Sequence, residues 1–192
     1  MRTAWMVPLM VLGAGLGTAR VILGPPDMTV VVHLQTAGRG PGADVLEYAR
    51  RTAAGMFASI GVRVAWAAPG EGEPANGLVL HLYVTDRPQT GHDPAALAFA
   101  YPYAPEKGIT VMWDRLLAVC GSGSELVPRL LAHVMVHELT HVLEGVSRHS
   151  DTGVMKAHWT AGDYSEMMRK PLPFTDFDAE LIHGRVDGTR AN

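Results

Sequence analysis

The run LLAHVMVHELTHVLEGV, residues 130–146, constrains this chain more than any other stretch. Its apolar positions recur at helical spacing, which predicts a helix. Inside it lie His137, Glu138 and His141. Residues four apart share one face of a helix, so the two imidazoles stand one turn apart and can grip a single zinc ion. Glu138, next to the first, is then held beside the open coordination position where a water can bind.

The residues that follow extend this pattern. Gly145 is placed to end the helix, because glycine readily takes the left-handed backbone of a sharp turn. His149 follows just past the turn, and Met155 comes six residues later. On these residues the chain resembles the metzincins, the zinc-peptidase clan marked by HExxHxxGxxH and a Met-turn. The resemblance implies that His137, His141 and His149 are ligands of one catalytic Zn2+. It also implies that Glu138 is the general base and that Met155 is the methionine beneath the metal.

The spacing departs from the clan pattern. Glu144 stands where the clan has its glycine, and Gly145 comes one later. His149 is eight residues after His141 rather than six, while Met155 keeps the fourteen-residue step of the matrixin pattern. The loop is re-partitioned rather than lengthened. Asp151 and Glu166 therefore stay open as alternative third ligands. Glu144 is expected at the solvent or just behind the ligands. His133, one turn before His137, either lines the cleft, makes a helix-end contact or ligates a second metal. His158, Trp159 and Tyr164 follow the Met-turn, where metzincins build a substrate pocket.

Residues 1–22 read as a secretory signal peptide, with Arg2, then an uncharged apolar run from Trp5 to Leu16, then small residues. The rival is an uncleaved membrane anchor, for which the run is short. This leaves 23–192 as a single catalytic domain that is secreted or periplasmic, without stable membrane association once the signal is removed. Cys120 is the only cysteine, so no intrachain disulfide can form. A net charge of −3 without a basic run argues against nucleic acid as a partner.

The rest of the chain predicts an α+β, metzincin-like zinc-peptidase domain with a mixed twisted sheet. Strands are expected at Met28–Gln35, Val62–Ala67, Leu78–Thr85, Ala95–Tyr103 and Ile109–Asp114, with a long helix from Asp44 to about Ile60 after the first. Ser124 or a neighbour is placed to cap the motif helix, and a short closing helix is expected over Thr175–Ile182. Leu97, Ala98, Phe99, Ala100 and Tyr101 are candidate substrate-binding residues, on a strand that could pair with an extended peptide; an inner strand is the alternative. The function read from these residues is zinc-dependent endopeptidase action on peptide or protein substrates, through a zinc-activated water with Glu138 as base. Two rivals remain: an exported zinc-binding or interaction module without turnover, and a zinc amidohydrolase acting on a non-peptide amide.

Overall fold

The computed structural model describes residues 28–67, 78–87, 91, 93–101, 108–121 and 124–190. The signal-peptide reading of residues 1–22 lies outside them. In the described residues a five-stranded mixed sheet runs in the order β2-β1-β3-β5-β4. Its strands are β1 (Met28–Ala37), β2 (Val62–Ala67), β3 (Leu78–Thr85), β4 (Ala98–Ala100) and β5 (Gly108–Met112). The first three and β5 pair in parallel, and β4 closes one edge antiparallel to β5. Alternate residues point to one face, and there Val30, Val32, Leu80, Leu82, Val84, Ile109 and Val111 are all buried. His33 and His81 sit in register on β1 and β3 with rings stacked 5.3 Å apart.

Helix α1 (Ala43–Ala58) buries Ala49, Ala53, Met56 and Phe57, and Val45, Leu46 and Ile60 pack at its margin. Its N-cap is Gly42, and Asp44 lies in the first turn without capping it. Gly61 turns the chain into β2 at φ +78°.

Two short helices were not expected. The strand read as Ile109–Asp114 stops at Met112, and Trp113–Cys120 forms α2. Trp113 and Leu116 are buried there, so this apolar stretch packs as one side of a helix. After Met155, Ala161–Met167 forms α4, capped reciprocally by Thr160 and Asp163. The strand read over Ala95–Tyr103 is regular only at Ala98–Ala100, and residues 102–103 lie outside the described set.

The motif helix α3 spans Leu126–Glu144, and every residue from Leu130 to Glu144 is buried. Burial on all sides follows from its position, since it contacts α1, α2, α4, α5 and the strands β4 and β5. Ser124 Oγ accepts the Leu126 amide at 3.2 Å, although the residue at the cap position is Glu125. Helix α5 (Asp176–Arg190) closes the domain; it begins one residue after the start of the short helix expected there and runs on past Ile182. No helix among the described residues is long and apolar enough to cross a membrane.

Candidate active site

The one-turn spacing of His137 and His141 brings their Nε2 atoms to 3.0 Å of each other. Each ring is oriented by its other nitrogen. His137 Nδ1 donates to the Val154 carbonyl at 2.9 Å, and His141 Nδ1 donates to the Val146 carbonyl at 3.2 Å. These bonds leave both Nε2 atoms as bare lone pairs facing the same point. Protonation does not relieve the conflict, because burial, with a further push from neighbouring imidazoles, lowers His137 to about 3 and His141 to about 4. Two neutral imidazoles aimed together in this way suit a shared cation.

His149 completes the set. Its ring stacks on His137 at 5.3 Å and lies edge-on to His141 at 5.0 Å. The ligand atoms of the three residues lie within 4.8 Å of one another. Tetrahedral zinc bound through imidazole nitrogens spaces them by roughly 3.3 Å, so modest ring rotation closes the set. Among the described residues no other group of three gathers in this way. Asp151 is exposed and Glu166 pairs with Lys170 at 3.3 Å, so neither alternative third ligand is brought to the cluster.

Glu138 is 8% exposed, and burial raises it from its ordinary 4.5 to about 8. Above about pH 4.5 the unfolded chain has lost this proton while the metal-free folded chain keeps it. The stabilisation is therefore complete below about 4.5 and lost as the pH rises through about 8. The Glu138→Gln change removes that loss. Metal-free wild type and variant, compared by urea unfolding, should differ more in the variant's favour at pH 8.5 than at pH 4.5. The change in that difference is at most about 5 kcal/mol. A difference that does not change with pH contradicts the burial argument.

His133 does not join the cluster. Its Nδ1 donates to the Arg129 carbonyl at 2.7 Å and its Nε2 accepts the Leu172 amide at 2.9 Å. Both nitrogens are used, which excludes a second metal on this ring and makes it a brace between α3 and the segment before α5. Of the two places expected for Glu144, the structure excludes the solvent. The residue is buried, at 4% exposure, and pairs with Arg148 at 3.0 Å. Burial, only partly offset by Arg148, still raises its pKa to about 7.

Met155 is fully buried, and its carbonyl accepts the Ser150 amide at 2.8 Å. The turn before it is fixed by Gly153, at φ +75°, and by the Val154 amide donating to the Pro173 carbonyl at 2.9 Å. The same turn presents the Val154 carbonyl to His137.

The three histidines and Glu138 open into a cleft of about 430 Å³. Leu97, Ala98 and Ala100 line it, as do His158, Trp159 and Tyr164. Of the five strand residues picked out in the sequence, Phe99 and Tyr101 do not line the cleft. Strand alternation sends Phe99 to the other face, where its ring meets Tyr101 at 5.5 Å. Strand β4 is the sheet edge rather than an inner strand. Leu97 and Tyr101 bond to β5, so by alternation Ala98 and Ala100 turn their backbone groups away from it. Arg115 on α2, which the sequence reading passed over, anchors the approach to this edge by donating to the Asp93 and Ala96 carbonyls, each at 2.8 Å. Cys120 sits near Tyr164, and burial pushes its thiol up to about 11, so it is a poor nucleophile.

No protein-family model matches the sequence, and no match was found among curated proteins. The fold is similar to the crystal structure of archaemetzincin from Methanopyrus kandleri, with a TM-score of 0.52 at 15% identity. The similarity covers 83% of this chain and 96% of that one. The chain thus has a fold like that of archaemetzincin, and it groups three histidines that could hold a metal ion.

Proposed function

We propose that this chain is a secreted zinc-dependent metalloendopeptidase, with His137, His141 and His149 as ligands of one zinc ion. The observation that carries this reading is the convergence of three imidazoles beside Glu138 at the floor of a cleft walled by an edge strand. A site with only a structural role needs no carboxyl beside an open coordination position. Zinc held there supplies a Lewis acid that brings the pKa of water towards about 7 and polarises a carbonyl.

The chain's own residues supply the rest. Ala98 and Ala100 offer backbone groups to an extended peptide, which lies along β4 with its scissile carbonyl over the histidines. Glu138 accepts the proton of the attacking water and delivers it to the departing nitrogen. Burial raises the Glu138 carboxyl to about 8, and a dication held by the three histidines would oppose that rise by favouring the carboxylate. The half-buried Tyr164 and Trp159 give the cleft lining an apolar surface for a substrate side chain. Secretion rests on the N-terminal pattern of residues 1–22.

The test is digestion of a mixed peptide library, with products read by mass spectrometry. Internal cuts that stop with a zinc chelator and return with zinc are expected. A folded, zinc-loaded chain that cuts no peptide overturns endopeptidase action, and leaves the binding module and the non-peptide amidase to be separated by their ligands.

A further inference from the structure

His137 and His141 are aimed by backbone carbonyls, but no described residue hydrogen-bonds the His149 ring. Its position depends on its two chain neighbours. Arg148 and Ser150 both bind Oδ1 of Asp178, thirty and twenty-eight residues away on α5; the Ser150 bond is 2.7 Å. Asp178 is fully buried, and its Oδ2 accepts the Thr175 amide at 2.7 Å, which fixes the carboxylate plane. The Arg148 guanidinium also reaches Glu144 Oε1 at 3.0 Å and Ser150 Oγ at 3.0 Å. It lies under the Phe177 ring, 4.6 Å from the centroid. One arginine thus ties the end of the helix bearing His137 and His141, the loop bearing His149, and the start of α5.

A buried ion pair is a weak source of net stability, because desolvation offsets much of its attraction. What a guanidinium offers here is direction: a planar fork whose donors meet carboxylates at set angles. The re-partitioned loop needs such a guide. Helix α3 runs one residue past the clan's glycine position before Gly145 turns it, and His149 must return to the metal from farther along the chain.

We propose that Arg148, Ser150 and Asp178 form a clasp that positions His149, making α5 a working part of the metal centre. The inference rests on His149 being a ligand. Arg148, Ser150 and Asp178 are positioning residues and touch neither metal nor substrate.

The test is zinc affinity of the full chain by competition with a chromophoric chelator, with the metal-free fold of each variant checked by circular dichroism. Outer-shell partners of metal ligands typically govern 10–100-fold in affinity. Asp178→Asn keeps the shape and is expected to weaken zinc by about 10–100-fold without loss of the metal-free fold. Ser150→Ala, which keeps every charge, should weaken it severalfold and decides the matter if Asp178→Asn fails to fold. Arg148→Lys should bind more tightly than Arg148→Ala. If His149→Ala weakens zinc while the Asp178 and Ser150 variants bind like wild type, the clasp is overturned and the ligand assignment stands. If His149→Ala itself binds like wild type, the ligand assignment falls and the clasp with it.

Discussion

Changing Glu138 to alanine is expected to lower kcat/KM for peptide cleavage by about 10²–10⁴-fold while leaving one zinc bound per chain. The expectation follows from geometry. Glu138 sits between the two histidines on α3 and lines the same cleft, so its carboxyl can reach a water there but is not one of the three converging ligands. Its removal takes away a proton acceptor and no metal–nitrogen bond. Its loss also empties a buried position without leaving a charge unpaired, so the metal-free chain should still fold. Metal analysis and steady-state kinetics on one preparation separate the two effects. Equal loss of zinc and activity would make Glu138 a ligand or a structural residue instead.

The second large effect is expected at Gly153. The position has φ +75°, and an added Cβ would overlap the carbonyl oxygen of Pro173, which is backbone and cannot swing aside. The left-handed conformation costs an L residue about 1–2 kcal/mol, and the forced shift adds about 1–3. Gly153→Ala should therefore destabilise the chain by about 2–5 kcal/mol, a fall in Tm of roughly 5–15 °C at this size. It should also weaken zinc binding, since the displaced turn carries the Val154 carbonyl that orients His137. Gly145→Ala is the control. Its φ is +65°, but the added Cβ meets the guanidinium end of Arg185, a flexible side chain that can move. Only the backbone term of about 1–2 kcal/mol is expected there. Equal melting temperatures for the two variants would contradict this account of the turn at Gly153.

The contrast between these glycines bears on how much of the molecule could be read from its sequence. Val62–Ala67 and Leu78–Thr85 have the bounds that the sequence predicts, with Val62 and Val64, and Leu80, Leu82 and Val84, buried at alternate positions. The α3 motif and the gathering of His137 and His141 followed from a four-residue spacing, a local property of any helix. His149 was legible only through the clan pattern, with Asp151 and Glu166 open beside it.

What stayed hidden depended on partners far along the chain. Whether Glu144 faced the solvent or lay just behind the ligands stayed open, because its neighbours in sequence do not reveal Arg148 folding back, or Asp178 arriving thirty residues later. His133 could not be cleared of metal binding until the Leu172 amide was seen to occupy its second nitrogen. Helix α2 was lost because Trp113 and Leu116 continue the apolar character of β5, although Asp114 in the first turn and Gly121 at the end are signals of a short helix. The capping pair Thr160 and Asp163 similarly marked α4. Phe99 and Tyr101 were grouped with the cleft residues because a run of five was taken together, whereas a strand divides such a run between two faces.

The central claim is that three imidazoles hold the metal at which peptides are cut. Zinc-edge X-ray absorption on the stoichiometrically loaded chain tests it most directly, on wild type and His149→Ala side by side. The account predicts three imidazole nitrogens at about 2.0–2.1 Å with one oxygen in the wild type, and two imidazoles in the variant. A wild-type spectrum with only two imidazoles, or an identical spectrum from the variant, would contradict it.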